Sequence, residues 1–239
     1  MDDFIKGDFH THTKYSIEPK TLSIFEARAR YGPLDLIKTA IARGLNVLAI
    51  TDHDTLKGAE IGEKLVKTEG LSDKILLIKG EEISSREGHI LGIGINKVIK
   101  PGMSAIETID AIKKQGGVSI IPHPFSPYGI RNIIFNLKKF DGMETVNPFA
   151  SFSIGNKRAQ RVINLFDVAS IGSTDAHTLG VIGRVFTKLW CDMDVDSVLN
   201  AIRKKQTEAV GNYSFVYPLY NLFRNLGLCF IPWYKRPKV

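Results

Sequence analysis

The sequence predicts an α/β protein built on a mainly parallel sheet, either doubly wound or closed into a barrel. Short apolar runs rich in Ile, Val and Leu recur along the 239 residues. Helical patterns lie between most of these runs, which is the alternation typical of a parallel sheet. The runs are also apolar almost throughout, as expected of strands that are buried on both faces.

Seven apolar runs are predicted to be strands. They cover residues 4–9, 46–51, 75–83, 89–95, 118–123, 142–147 and 168–174. The third and fourth runs are too close for a helix to cross between them, so we expect a hairpin-like or bent connection there. A barrel made from these strands would therefore be irregular.

Helices are predicted between the strands, at residues 33–43, 57–69, 103–115, 132–140, 156–166 and 195–205. The first begins with Pro33, which suits the first position of a helix, and ends before Gly44, which suits the position after the last turn. The third has apolar residues at three- and four-residue spacing and stops at Gly116.

Composition limits the class of protein. Hydrophobic residues make up 44% and charged residues 24% of the chain, which is ordinary for a globular domain and disfavours disorder or a coiled coil. No apolar run reaches the roughly 18–20 residues that span a bilayer, and the start lacks a basic-then-apolar leader. Two cysteines, Cys191 and Cys229, cannot form a disulfide framework. We therefore expect a soluble cytoplasmic protein without a membrane partner.

The net charge of +7 comes from 32 basic and 25 acidic side chains. Solvated helix faces explain most of it, and a positive field that attracts phosphate-bearing substrates is the alternative. Nucleic-acid binding stays open, because it would need the basic residues to cluster on one face. Nothing in the sequence indicates an oligomeric state.

All six histidines lie at an end of a predicted strand. His89 opens its strand, whereas the other five lie at or just past the carboxyl end. Those five are His10, His12, His53, His123 and His177. Because the carboxyl ends of parallel barrel strands share one face, where active sites form, we expect these side chains to converge.

Carboxylates accompany the histidines. His10 and His12 are two residues apart on an extended strand, so both can reach one cation, with Asp8 beneath them. Further acidic residues follow other strands, namely Asp52, Asp54, Glu81, Glu82 and Asp175. Imidazole and carboxylate together suit Zn, Mn or Fe, and the number of candidate ligands exceeds one tetrahedral site. The sequence therefore predicts two or three divalent metal ions that share a bridging carboxylate.

Such a site favours hydrolysis over redox chemistry. Metal ions about 3.5–4 Å apart lower the pKa of a bound water toward about 7 and neutralise phosphoester oxygens as charge moves to the leaving group. Phosphoester hydrolysis is therefore the favoured reaction. Amide hydrolysis by the same activated water stays open.

Six motifs together resemble the PHP family, named for polymerase and histidinol phosphatase. They are DFHTHT (8–13), ITDHDT (50–55), GEEIS (80–84), GHILGIG (88–94), IPHPF (121–125) and GSTDAH (172–177). The resemblance implies a single-domain, TIM-like distorted (β/α)7 barrel with a trinuclear metal centre and phosphoesterase activity. The barrel would cover residues 1–212. Residues 213–239 would be an aromatic and basic extension packed on it, or alternatively a partner interface.

The resemblance also implies a set of ligands. His10 and His12 would bind the first metal ion with Glu82 and Asp175, and Glu82 would bridge to a second ion. The remaining ligands would be His89 and His123 on the second ion and His53 and His177 on the third. A bridging hydroxide would be the nucleophile.

Other residues receive supporting roles. Asp8 and Asp52 would orient the histidines, and His177 or Asp54 would protonate the leaving oxygen. Arg131 and Arg184 are candidates for a phosphate clamp, because a guanidinium matches phosphate oxygens in a two-pronged way. Ordinary surface arginines are the alternative reading of both.

One motif departs from the family. Many relatives carry a serine–aspartate pair after H-x-H, and that aspartate binds the third metal ion. Here Ser16 is followed by Ile17 and Glu18. Either Glu18 replaces the aspartate by a one-residue shift, or the third metal ion is weakly bound or absent.

Besides amide hydrolysis, the sequence leaves three functions open. The favoured one is a metal-dependent phosphoesterase that acts on a small phosphomonoester or a nucleotide. The alternatives are a phosphodiesterase or nuclease acting on short oligonucleotides, and a non-catalytic metal-binding scaffold.

Overall fold

The computed structural model describes residues 4–17, 29–137, 139–148 and 154–211. Within these ranges the chain forms nine strands. They are β1 (Ile5–Asp8), β2 (Val47–Ile50), β3 (Leu76–Ser84), β4 (His89–Ile93), β5 (Val118–Ile121), β6 (Gly142–Val146), β7 (Ala169–Gly172), β8 (Val185–Leu189) and β9 (Thr207–Gly211). The α-helices are α1 (Pro33–Ala42), α2 (Lys57–Thr68), α3 (Ala105–Lys114), α4 (Ile154–Val162) and α5 (Val195–Arg203).

All nine strands belong to one mixed sheet in the order β7-β6-β5-β4-β3-β2-β1-β8-β9. Strands β1 to β3 are parallel, and so are β5 to β7. Between these groups β4 is antiparallel to both neighbours, and β8 is antiparallel to β1 and β9. The α/β prediction is confirmed, and the seven predicted strands are β1 to β7. The (β/α)7 arrangement is not confirmed, because the sheet has nine strands and a mixed order.

The missed strand β8 has a physical explanation. Val185, Thr187 and Leu189 are buried, whereas the residues between them are only half-buried. This alternation is typical of a strand with one covered face, and it differs from the continuous apolar runs that mark the other strands.

Polar contacts hold the two ends of the sheet together, so that it forms a nearly closed barrel. Thr187 of β8 accepts a hydrogen bond from the Gly172 amide of β7 at 3.0 Å and donates to the Gly172 carbonyl at 2.9 Å. Thr207 of β9 donates to the Ser170 carbonyl at 3.0 Å. A Cβ on Gly172 would lie 2.6 Å from the Phe186 carbonyl oxygen, so this close approach requires glycine.

The predicted helices have different outcomes. Four of them correspond to α1, α2, α3 and α5 within two residues at each end. The predicted helix at 156–166 is α4 followed by a short 3₁₀ helix, Ile163–Leu165. The one at 132–140 is a 3₁₀ helix, Arg131–Asn136. Ile134 is its buried residue, and the chain leaves the helix at Leu137, which is extended and also buried.

The apolar core lies inside the barrel and between the sheet and its helices. Interior residues such as Phe9, Val47 and Leu91 form one buried cluster with residues of α5. Arg203 of α5 donates to the carbonyl of Gly116, just before β5. Helix α5 therefore covers the end of the barrel where the parallel strands begin, and the opposite end is left for the histidines. No helix within the described ranges is long and apolar enough to cross a membrane.

Candidate metal centre

All six histidine side chains meet at the end of the barrel where the parallel strands finish. Consecutive rings around this cluster lie 4.3–5.6 Å apart between centroids, from His177 through His12, His53, His89 and His123 to His10. His89 joins the cluster because β4 runs antiparallel to β3, so that the start of β4 pairs with Ser84 at the end of β3. The predicted convergence of the histidines is therefore what the structure shows.

Glu82 lies at the centre of the cluster and is 1% exposed. Its Oε2 atom is 3.1 Å from His10 Nε2, 3.2 Å from His12 Nε2 and 3.3 Å from His53 Nε2. Its Oε1 atom is 2.8 Å from His89 Nδ1 and 3.2 Å from His123 Nε2. One carboxylate thus faces five imidazoles, which is the position that a bridging ligand would need.

Asp175 is the second carboxylate of the cluster. Its Oδ1 atom is 3.2 Å from His12 Nε2 and 3.4 Å from His10 Nε2. Asp175 has a φ of 50° and His123 a φ of 26°, and such left-handed backbone is uncommon in non-glycine residues. At both positions the backbone adopts an unfavourable conformation that places a polar side chain in the cluster.

Three overlapping groups of side chains bring their donor atoms within 4.8 Å of one another. The groups are His10, His12, Glu82 and Asp175; His53, Glu82 and His89; and His12, His53 and His177. The first contains the residues that the family resemblance assigns to the first metal ion. The individual ligand roles stay predictions.

The electrostatics of the cluster depend on charges that offset one another. Burial opposes ionisation of Glu82 and Asp175, but the imidazoles around them outweigh it and hold both pKa values well below the usual range. Burial also opposes the charge on His12, yet the two carboxylates raise its pKa to about 9. Burial, reinforced by the charge of His12, lowers the pKa of His177 to about 4. A cation that enters the cluster therefore competes with protons held by its imidazoles.

The donor set fits divalent metal ions. His12 Nε2 and His89 Nδ1 are buried and face carboxylate oxygens, yet neither makes a hydrogen bond of acceptable geometry. Buried polar atoms are normally satisfied, and nitrogen atoms in this situation are suited to coordinate a cation. Imidazole and carboxylate donors without a thiolate favour Zn, Mn or Fe.

Asp8 and Asp52 lie outside the cluster and hold its loops. Asp8 is buried, accepts the His10 amide at 3.3 Å and the Thr174 amide at 3.0 Å, and so ties β1 to the loop that carries Asp175. Asp52 accepts hydrogen bonds from Thr13 and from Ser16, whose hydroxyl lies 3.2 Å from His12 Nδ1. Both carboxylates contact backbone or hydroxyl groups rather than an imidazole.

Three residues not singled out in the sequence contact the histidines. The Ser126 hydroxyl lies 2.9 Å from His123 Nδ1, and the Tyr128 ring stacks on His89 with centroids 5.9 Å apart. A third, Glu144, pairs with His10 Nδ1 at 2.9 Å. The sequence signal for Glu144 is a lone acidic residue within the predicted strand at 142–147.

The remaining candidate residues either make other contacts or lie outside the described residues. Asp54 is half-buried and accepts a hydrogen bond from the Ser84 amide at 2.8 Å. Arg131 and Arg184 are exposed, and each donates to a backbone carbonyl four residues before it, that of Pro127 and of Gly180. Glu18 and the extension at 213–239 lie outside the described residues. The proposed roles of all of these stay predictions.

Glu81 is expected to make the stability of the metal-free protein fall as pH rises. Burial raises the pKa of this carboxyl to about 7, and the nearby charge of Asp54 adds to the effect. The unfolded chain releases this proton near pH 4.5, so the folded state holds it more tightly between about pH 4.5 and 7, and the unfolding free energy decreases across that window. The test is urea unfolding of E81Q and the wild type in EDTA. The unfolding free energy of E81Q relative to that of the wild type should increase by about 1–3 kcal/mol between pH 4.5 and pH 8. A difference that does not change with pH would contradict this.

The fold and the cluster define the class of this protein as an α/β barrel with a buried histidine–carboxylate site suited to divalent cations. It belongs to the PHP family. The family model described as PHP-associated matches residues 153–207. An uncharacterized protein of Methanocaldococcus jannaschii, MJ1587, is 38% identical over 157 residues, which are 65% of this chain and 89% of that protein.

A second curated relative is a 5'-3' exoribonuclease of Haemophilus influenzae. It is 35% identical over 92 residues, which are 37% of this chain and 32% of that protein. The match thus covers about a third of each.

Solved structures share the fold at low sequence identity. PsfC from Pseudomonas syringae is 14% identical with a TM-score of 0.64, over 95% of this chain and all of that one. A protein of Bifidobacterium adolescentis, named provisionally as a metal-dependent phosphoesterase, is 17% identical with a TM-score of 0.53, over 73% of this chain and 88% of that one.

Proposed function

We propose that this protein is a metal-dependent phosphoesterase that hydrolyses a small phosphomonoester or a nucleotide. The observation that carries the proposal is the position of Glu82, whose two carboxylate oxygens face five imidazoles within 3.3 Å. This arrangement suits two or more adjacent cations that share one carboxylate. The donor group that contains His10 would hold the first cation, and the donor group that contains His89 would hold the second.

The chain's own residues would hold the ions and orient the substrate. When bound, the metal ions supply Lewis-acid polarisation of phosphate oxygens and an activated water. Of the two candidate acids, Asp54 accepts the Ser84 amide, and His177 belongs to a donor group of the cluster. A ring nitrogen that coordinates a cation carries no proton, so His177 would serve as the acid only where it does not bind the third ion. The low pKa of His177 in the metal-free protein means that it would first need to take up a proton.

A positive edge next to the cluster supports an anionic substrate. Lys14 and Lys57 are exposed, and their Nζ atoms lie 5.5 Å and 5.2 Å from the centroid of the same ring, Tyr15. Tyr15 directly precedes Ser16, whose hydroxyl contacts His12. Within the described residues no carboxylate lies within ion-pair distance of either lysine, so both ammonium groups can meet phosphate oxygens.

The positive charges of Lys14 and Lys57 are expected to strengthen substrate binding, which can be tested by measuring KM. The variant K14Q/K57Q should raise KM for a phosphomonoester by roughly tenfold with kcat little changed, because the lysines bind the substrate without taking part in bond cleavage. Lys64, exposed on the same helix as Lys57 about two turns away, provides the control K64Q. An equal increase in KM for the control would assign the effect to net charge and contradict a local site.

The reaction class is tested with p-nitrophenyl phosphate and bis-p-nitrophenyl phosphate, using protein loaded with Zn or Mn. Hydrolysis of the monoester supports the proposal. Hydrolysis of the diester alone would instead favour the alternative of a phosphodiesterase or nuclease, which the exoribonuclease relative keeps in view. No hydrolysis of either ester or of a wider phosphate-ester panel by metal-loaded protein would favour a non-catalytic scaffold.

A further inference from the structure

Glu144 is a buried carboxylate of β6 whose two oxygens serve two candidate metal ligands. Its Oε1 atom lies 2.9 Å from His10 Nδ1. Its Oε2 atom accepts the backbone amide of His123 at 2.7 Å and the Asn147 side-chain amide at 2.8 Å. The side chain is fully buried, so these contacts are not exchanged with bulk water.

The pairing fixes which nitrogen of His10 carries the proton. An ionised carboxylate can only accept hydrogen bonds, so His10 Nδ1 must be the donor. In the neutral ring this leaves the lone pair on Nε2, the atom that faces Glu82 at 3.1 Å and Asp175 at 3.4 Å. Glu144 thus selects the tautomer in which His10 can bind a cation in the cluster.

The other imidazoles have weaker determinants of orientation. His12 and His123 present Nδ1 to the hydroxyls of Ser16 and Ser126, and a hydroxyl can donate or accept. His177 Nδ1 lies 2.9 Å from the Asp175 carbonyl, which can only accept and so also places the proton on Nδ1, but this contact comes from the backbone and not from a replaceable side chain. Among the described contacts between cluster histidines and residues outside the cluster, a carboxylate reaches only the His10 ring.

We propose that Glu144 is a positioning residue that holds His10 in its metal-binding tautomer and, through the His123 amide, fixes the backbone of a second candidate ligand. One carboxylate then links β1, β5 and β6 beneath the cluster. The inference rests on the metal site of the proposed function, and it concerns a residue that belongs to none of the three donor groups and acts through two candidate ligands.

The variant E144Q tests the positioning role of Glu144 and changes the shape of the side chain very little. A glutamine has one oxygen for the three donors that Glu144 accepts. If that oxygen stays with the His123 and Asn147 amides, the NH₂ group faces His10 and forces Nδ1 to become the acceptor, so the proton moves to Nε2. We expect a loss of roughly 10–100-fold in Zn affinity, as for other residues that orient a ligand.

A second variant shows whether Glu144 acts by orienting His10 or only by stabilising the fold. In E144Q/N147D the new carboxylate can accept from the glutamine NH₂, which lets the glutamine oxygen turn to His10. The His123 amide then loses its acceptor, so the recovery is partial. Zn affinity should then recover by about tenfold relative to E144Q. The matched control is T145V, at the neighbouring buried position of β6, where Thr145 contacts Ser170 away from the cluster. It should bind Zn as the wild type does.

Several outcomes would overturn the inference. The first is a Zn affinity of E144Q equal to that of the wild type. The second is a loss of Zn affinity in T145V as large as that in E144Q, and the third is a Zn affinity of the double variant no higher than that of E144Q. Thermal unfolding in EDTA shows whether E144Q folds. If it does not, ¹⁵N NMR of the wild-type histidines with Zn decides, because His10 must carry its proton on Nδ1. A wild-type protein that binds no metal ion would instead refute the proposed function.

Discussion

Replacing Glu82 by glutamine is expected to abolish most of the metal binding and to lower kcat/KM by roughly a thousandfold. The amide keeps the shape of the side chain but removes the negative charge that faces five imidazoles. Metal ions stabilise transition-state charge by several kcal/mol, and each 1.4 kcal/mol is a factor of ten in rate. Metal content by mass spectrometry and turnover of p-nitrophenyl phosphate measure the two effects.

The neighbouring glutamate provides the matched control. Glu81 is equally buried, but it accepts a hydrogen bond from the Ile99 amide at 3.0 Å, on the opposite side of β3 from the cluster. E81Q should therefore keep its metal ions and its activity near neutral pH. A metal content in E82Q equal to that in E81Q and the wild type would refute a bridging role for Glu82.

Replacing Gly58 by alanine is expected to destabilise the protein by about 2–4 kcal/mol. A Cβ at this position would lie 1.9 Å from Asp52 Oδ2 and 2.6 Å from Thr13 Oγ1, atoms that are themselves hydrogen-bonded at 2.7 Å. Overpacking typically costs about 1–3 kcal/mol, and a hydrogen bond to a charged group contributes a further 1.5–3 kcal/mol or so. The better helix propensity of alanine offsets only about 1 kcal/mol of this.

The same substitution at an open position is the control. A Cβ on Gly180 would have nothing within 4 Å, so G180A should leave the unfolding free energy within about 0.5 kcal/mol of the wild type. Urea unfolding in EDTA measures both variants without a contribution from metal binding. G58A should also bind metal ions more weakly, since Asp52 holds the loop of His12 through Ser16. If the unfolding free energy of G58A equals that of the wild type, an added methyl group on α2 does not collide with the hydrogen-bonded side chains of Asp52 and Thr13.

Much of the fold follows from local patterns. Each of the strands β1 to β7 lies within or overlaps a short run rich in apolar residues, and several helices carry clear start or stop residues, so these elements are predictable from neighbouring residues alone. Strand β9 has no such pattern, because its residues are half-buried or exposed and it is held by pairing with β8. The closure of the sheet likewise depends on contacts between remote segments, such as Thr187 with Gly172.

The candidate site was predictable where residue type and position agree. Histidines and carboxylates at strand ends indicate convergence because the topology of a parallel sheet brings those ends together. Glu144 could not be assigned in this way, because its role depends on the contact with His10, 134 residues away. The phosphate-clamp roles of Arg131 and Arg184 stay predictions, since each guanidinium donates here to a backbone carbonyl four residues before it.

Anomalous diffraction from crystals grown with Zn or Mn tests the account most directly. Two or three peaks are expected within coordinating distance of the cluster, with one pair on either side of the Glu82 carboxylate. A cluster whose imidazoles and carboxylates surround no peak at saturating metal concentration, or peaks that lie only elsewhere on the surface, would contradict it.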